Sequence, residues 1–315
     1  MKIIGMGAPQ YSSRDGIIVE GCKSILNIAQ FDRYIYNNDL QDQAPADFYP
    51  DEKFDLFVYC GTPWIWDQMQ FTAKYRNVLN AIKAHPEAKI VWLGIGSSLY
   101  LQDMTSNILK SKADQYMLKQ TFKNQTVIVR DSLAQSLIKP VKDQHYLPCP
   151  AFFNNPVCET SREVNVAFYH VIKTGISNGG WTQENIEIYR ETFRKFVMDN
   201  KAQIVVCEPE EVPLAEIIFK RNDIHLIKHN VDTFYWCKKA NKVLSGRIHN
   251  VVPAIVYGAE VGLVPVDSRH LTVTDWFDIK ITNETELHKI KKCDITELVK
   301  LKEVYREIIF KGIKC

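Results

Sequence analysis

The amino-acid sequence predicts an α/β protein on parallel sheets, with two halves of similar length joined near residue 155. Three observations carry this. Short apolar runs recur and end in glycine or polar residues, as strands of a parallel sheet do. Amphipathic or polar stretches separate them. The alternation breaks once, in a segment rich in proline and asparagine, and then restarts.

In the first half, "KIIGMG" opens the chain as a strand, and "GIIVEGCKSILNIAQ" reads as a helix. "FDLFVYCG" (54–61) and "AKIVWLGIG" (88–96) are strand-like runs ending in glycine. "QTVIVRDS" (125–132) is a further strand, followed by "LAQSLIKP", a short helix stopped by Pro140. "LPCPAFFNNPVCETSREV" (147–164) has three prolines, two asparagines and no sustained period, and is the expected linker. Beyond it, "EVNVAFYHV" is a strand and "TQENIEIYRETFRKFVMDN" an amphipathic helix. That helix has Thr182 as N-cap and Ile186, Tyr189, Phe193, Phe196 and Val197 on its apolar face. "AQIVVCEP" and "NKVL" continue the strand series. The division is therefore 1–155 and 156–315. The tail "ETELHKIKKCDITELVKLKEVYREIIFKGIKC" is helical, assigned to the second half but free to pack back across the first.

Composition limits the function. A hydrophobic fraction of 46% and a charged fraction of 24% are those of a globular chain with a sizeable core. Net charge is +2, from 39 basic and 37 acidic residues, which argues against nucleic acid or a membrane surface held by bulk charge. The opening residues lack a secretory core, and no run is long enough for a transmembrane segment. Eight scattered cysteines form no CxxC pair and no zinc-ligand spacing. The expectation is a cytoplasmic protein with reduced thiols, no metal and no transmembrane segment.

In parallel sheets, ligands bind beyond the carboxyl ends of the strands, so candidate site residues are sought there. "GMGAPQ" has Gln10 where a dinucleotide fingerprint needs its third glycine, so NAD binding is not indicated. Gly61 allows close backbone approach, and Trp64 or Trp66 either stacks on a sugar ring or closes the core. The turn "LGIGSS", with Ser97, is an anion or hydroxyl site or a plain connection. Arg130 follows four apolar residues and is expected to project toward a ligand or the other half, while Asp131 or Ser132 caps the next helix. His170 and Lys173 follow the first strand of the second half, where Lys173 holds an anion or is simply solvated.

"VLSGRIHN" (243–250) is the most informative stretch. It places Ser245, Gly246, Arg247, His249 and Asn250 at a strand-to-helix junction. Free helix N–H groups, a guanidinium fork and an imidazole suit an anionic substrate that needs proton transfer. An interdomain salt bridge and a backbone-satisfied histidine would explain the same residues.

The segment "VLSGRIHNVVPAIVYGAEVGLVPVDSR" resembles the signature region of the polysaccharide pyruvyl transferase family. "DLFVYCGTPW", "WLGIGSS" and "VIVRDSLAQSLI" resemble its other segments in the same order, over roughly residues 54 to 275. The resemblance implies two Rossmann-like domains facing a cleft, as in GT-B glycosyltransferases. It implies phosphoenolpyruvate as donor, a saccharide hydroxyl pair of a cell-surface polysaccharide as acceptor, a pyruvate ketal as product, and no cofactor. Arg247 and His249 fall on the family's Arg and His, Arg130 on its first-domain Arg, and Ser132 or Ser136 on its serine. The chain departs at Asp15-Gly16, where the order is reversed, at Thr62 in place of glycine, and at Arg269 in place of lysine. The alternative readings are a nucleotide-sugar glycosyltransferase on the same fold and a non-catalytic saccharide-binding relative.

Overall fold

The computed structural model describes residues 1–7, 16–36, 48–61, 63–65, 73–99, 112–139, 141–154, 162–172, 181–227, 230–279, 291–292 and 294–313. The chain forms two compact units. The first runs to Asn154 and resumes at Thr296, and the second lies in Asn155–Ile295 between.

In the first unit, the described strands are β1 (Ile3–Gly7), β2 (Arg33–Tyr36), β3 (Leu56–Cys60), β4 (Pro63–Ile65), β5 (Lys89–Ser97), β6 (Thr126–Val129) and β7 (Gln144–Tyr146). They form a parallel sheet in the order β2-β1-β3-β5-β6-β7, with β4 paired to the end of β5. Every residue of β1 and β3 is buried, which is why these strands read as continuous apolar runs. The helices are α1 (Gly16–Leu26), α2 (Ala73–Ala84), α3 (Lys112–Thr121) and α4 (Ser132–Leu137). Tyr59, Trp64, Trp92 and Phe122 form an aromatic chain in the core, with successive ring centroids 5.3, 5.1 and 5.0 Å apart.

Three sequence expectations are corrected here. The "LGIGSS" turn is strand: β5 continues to Ser97, because Gly94 takes φ +70° where the pairing with β6 slips by one residue. A Cβ at Gly94 would also meet the Pro150 ring at 2.2 Å. The expected linker is structured over its first part, where Pro150–Phe153 forms a buried 3₁₀ turn. Its carbonyl at Pro150 lies 1.9 Å from where a Cβ of Gly21 would be, so α1 seats on this turn only because residue 21 has no side chain. Finally, the tail helix does not stay with the second half. Helix α10 (Thr296–Phe310; the helices between are given below) packs on the first unit, where the Tyr305 hydroxyl donates to the Pro148 carbonyl at 2.5 Å. Arg306 donates to the Ile25 carbonyl at 3.0 Å, and Lys89 to those of Ile308 and Lys311 at 3.2 and 2.7 Å. Buried Tyr305 and Ile309 supply the apolar contact that fixes this choice.

In the second unit, the order is β8 (Val164–Phe168), α5 (Gln183–Asn200), β9 (Gln203–Val206), α6 (Glu211–Phe219), β10 (Ile224–Leu226), α7 (Asn230–Lys239), β11 (Ala240–Ser245), α8 (Ile248–Val256), β12 (Glu260–Leu263), α9 (Leu271–Thr274) and β13 (Lys291–Lys292). The sheet order is β10-β9-β8-β11-β12-β13, parallel except for β13. The chain starts in the middle at β8, builds outward through β9 and β10, then crosses to build the other side from β11. The strand order therefore reverses between β8 and β11. Helix α5 is capped by Thr182, whose hydroxyl accepts from the Asn185 amide at 3.1 Å, and all five residues of its expected apolar face are buried. Cys22, Cys60, Cys149, Cys207 and Cys237 are free and buried. Among the described residues no helix is long and apolar enough to cross a membrane.

Candidate active site

Registers place Phe168 of β8 directly beside Ser245 of β11, so the chain leaves both strands at the same level, at the point where the strand order reverses. His170 follows the first strand and Arg247 the second. Their side chains meet: Nη2 of Arg247 lies against Nδ1 of His170 and 3.2 Å from its Nε2. Glu211, at the start of α6 beyond β9, completes the group. Its Oε1 contacts His170 Nδ1 and lies 3.3 Å from Arg247 Nη2. Three adjacent strands thus each deliver one charged or titratable side chain to one spot.

The carboxylate of Glu211 is the fixed point. Its side chain is 4% exposed, and its Oε2 accepts from the backbone amides of Cys207 and Glu208, both at 3.0 Å. Burial opposes its ionisation, but the hydrogen bond and charge of His170 and those two amides outweigh it, so its pKa lies below the usual range. His170 stays 29% exposed, and Arg247 is 12% exposed. Nη1 of Arg247 is enclosed without a hydrogen-bond partner among the described residues, its nearest carboxylate oxygen being Glu208 Oε1 at 3.8 Å. A buried guanidinium N–H left open beside a strand end is a donor waiting for an acceptor.

The junction around Arg247 explains its sequence. Ser245, fully buried, accepts through Oγ from the Arg247 amide at 3.0 Å and from Asn250 Nδ2 at 3.4 Å, and so starts α8 without facing a ligand. Gly246 passes over Tyr189, whose hydroxyl would sit 2.9 Å from a Cβ there and also accepts from the His170 amide at 3.4 Å. Asn250 is buried, with Oδ1 lacking a donor among the described residues. His249, in the first turn of α8, is close enough to Asp267, after β12, to contribute to its electrostatics. Asp267 is partly buried, which opposes ionisation, yet its hydrogen bonds and ion pair with Arg269, with a smaller contribution from His249, hold its pKa low. Arg269 donates to Asp267 through its amide at 2.9 Å and through Nε at 2.8 Å, so the residue standing for the family's lysine is tied to its own motif.

The other described candidates lie in the first unit, where the structure gives most of them architectural roles. Arg130 is 0% exposed, with Nη1 3.7 Å from Cys149 Sγ, and offers no surface to a ligand here. Ser97 is fully buried and donates to Asp131, through its amide at 2.8 Å and through Oγ at 3.0 Å. Asp131, not Ser132, caps α4, accepting from the Ala134 amide at 2.7 Å, while Ser132 is exposed. Gly61 donates to the Leu93 carbonyl at 2.7 Å, and a Cβ would strike that oxygen at 2.3 Å, so its glycine serves the approach of β3 to β5. Trp64 is 1% exposed and packs within the aromatic chain of the core. Lys173 lies outside the described residues.

Sequence reasoning missed Glu211 and Glu208. The signal was present in "VVCEPEEVP", since the strand-end rule that picked out His170 and Arg247 applies equally to the acidic run after β9.

The structure is similar to UDP-N-acetylglucosamine 2-epimerases: a putative one from Listeria monocytogenes (TM-score 0.53, 12% identity, covering 99% of this chain and 92% of that one) and that of Methanocaldococcus jannaschii in complex with UDP-GlcNAc and UDP (0.53, 10%, 97% and 92%). It is likewise similar to S. aureus MnaA with UDP (0.52, 10%, 99% and 90%). At these identities the likeness describes the fold, two Rossmann-like units of GT-B type. No curated protein matches in sequence. The family model for polysaccharide pyruvyl transferase matches residues 12–268, from α1 through the Asp267 motif. This chain therefore belongs to the polysaccharide pyruvyl transferase family and is a transferase.

Proposed function

We propose that this protein moves a pyruvyl group from phosphoenolpyruvate onto two hydroxyls of a saccharide, forming a cyclic ketal and releasing inorganic phosphate. The observation that carries the reading is Arg247: a guanidinium at the point where the strand order reverses, with an enclosed Nη1 that has no hydrogen-bond partner among the described residues and only a long ion pair to Glu208 at 3.8 Å. A phosphate or carboxylate oxygen suits that donor, because charge-assisted bonds from arginine to such groups are short and strong. Placement at the N-cap of α8 adds the partial positive charge of the helix start.

The chemistry balances without a redox partner. A proton adds to C3 of the donor as one acceptor hydroxyl attacks C2 and gives up its own proton. The second hydroxyl then displaces phosphate at C2, and its proton leaves with the solvent or the phosphate. His249 is the assigned acid and base, and Arg247 holds the donor and stabilises the charge that develops on the leaving phosphate. Incubation with phosphoenolpyruvate and candidate glycans, read by mass spectrometry for a pyruvate adduct and by phosphate release, tests the reading. Release of a nucleoside diphosphate from a nucleotide sugar instead would assign a glycosyltransferase. His249→Ala should lower turnover by about 100-fold or more while donor binding persists. Undiminished turnover in that variant removes His249 from the mechanism.

A further inference from the structure

The contact among His170, Glu211 and Arg247 contains a conflict of protons. Nδ1 of His170 faces Glu211 Oε1, which calls for a proton on that nitrogen, and the same Nδ1 faces Nη2 of Arg247, which calls for a lone pair. One nitrogen cannot satisfy both. Glu211 is immobile, held by two backbone amides, with the Val171 amide a further donor to Oε1 at 3.3 Å. Arg247 is held by no backbone group at its guanidinium among the described residues and reaches the ring from the end of β11, on the opposite side of the reversal point. Among the described residues, the groups facing His170 are these two, the Tyr189 hydroxyl at its backbone, and Glu208 behind Arg247 at 3.8 Å.

The charges sharpen the point. Arg247 carries one positive charge and Glu211 and Glu208 one negative charge each, so with His170 neutral the cluster has no surplus cation to offer an anion. A guanidinium against the ring opposes an imidazolium. An anion that draws Arg247 away removes that opposition and adds negative charge beside a ring already held by a carboxylate.

We infer that His170 and Glu211 form a second proton-handling pair of this site: when an anionic group engages Arg247, His170 takes up one proton and becomes the imidazolium partner of Glu211. Binding and protonation are then linked, and the side chains of the site become one charge more positive when it is filled. The inference rests on the reading of Arg247 as an anion-binding residue, and it needs neither the identity of the donor nor turnover.

Sulfate is the probe, because as a dianion it does not itself titrate near neutral pH. With the full chain, calorimetry should show sulfate bound about tenfold more tightly at about pH 6 than at about pH 8, since one linked proton changes affinity up to tenfold per pH unit. The imidazole NMR signal of His170 should titrate at higher pH with sulfate present than without. His170→Gln should reduce the pH dependence below about twofold, and His249→Gln should leave it in place. Should His170→Gln misfold, the NMR titration of the unaltered protein decides alone. Unchanged dependence in His170→Gln, an unmoved His170 signal, or no sulfate binding overturns the inference. Linked sulfate binding without any pyruvylated product would overturn the donor assignment and leave the proton uptake standing.

Discussion

Replacing Asp131 with alanine would test the assignment of the Arg130–Asp131 pair to architecture. The Asp131 carboxylate accepts from the Ala134 amide at 2.7 Å, the Ser97 amide at 2.8 Å and the Ser97 hydroxyl at 3.0 Å, and so joins the end of β5 to the start of α4. Its neighbour Arg130 is fully buried, and Arg130 Nε and Asp131 Oδ2 crowd the same backbone point at Gly96, 2.4 and 2.7 Å from where a Cβ would be. Alanine removes the cap, strips two amides of their acceptor and takes a carboxylate away from beside the buried Arg130 guanidinium. Bonds to a charged acceptor contribute about 1.5–3 kcal/mol each. Their sum is reduced because burial already works against this carboxylate, pushing its pKa above the usual range despite the Ala134 amide, the Arg130 charge and Ser97. Loss of one partner of a buried pair gives a net cost of about 3–5 kcal/mol. With a urea slope of about 2 kcal/mol per molar, the unfolding midpoint of the first unit should fall by about 2 M. Ser97→Ala, which removes only the hydroxyl bond, should cost about 1 kcal/mol. The pH dependence has a definite sign. A raised native pKa means the folded state holds its proton longer, so the contribution is full below about pH 4 and diminishes as pH rises through the native value. The gap between wild type and Asp131→Ala should therefore narrow toward neutral pH. A midpoint within about 0.5 M of wild type would refute the reasoning and return Arg130 to the list of ligand contacts.

Two other outcomes follow from the geometry. Gly21→Ala places a methyl 1.9 Å from the Pro150 carbonyl oxygen, and thermal unfolding should show a loss of about 3 kcal/mol, at the upper end for overpacking. For Glu211 the pKa is depressed, so its contribution is present above about pH 4.3 and lost as pH falls through the native value. Glu211→Gln should thus be about 2 kcal/mol less stable at about pH 6 and equal to wild type in acid, which paired denaturant curves would reveal.

Much of the architecture was legible because parallel strands buried on both faces must be apolar throughout, as β1 and β3 are. Helix α5 was legible for a similar reason, its capping threonine and buried stripe both being local patterns. Short edge strands such as β2 and β7, partly exposed and only 4 and 3 residues long, carry too little pattern to stand out. The glycines of "LGIGSS" misled because a positive φ inside a strand has the same sequence signature as a turn. At the site, Arg247 and His170 were found by their place after strands, whereas Arg130, found by the same rule, turned inward. Direction of a side chain at a strand end depends on what lies beneath it, here Cys149 and Gly96, and those residues are distant in sequence. Glu211 was overlooked since acidic residues at a helix start usually need no explanation beyond the helix dipole.

The return of α10 to the first unit has a bearing on synthesis. The first unit begins to emerge before the second but cannot bury Tyr305 and Ile309, or cover α1, until the intervening Asn155–Ile295 has been translated. At about 5–20 residues per second that is an interval of about 7–28 s. During it, the apolar surface around Ile25 and Phe153 stands uncovered while the second unit, whose sequence is continuous, is free to close on itself. The half of the protein made earliest is thus the one finished last, and its exposed seam is where a chaperone would be of most use to a nascent chain.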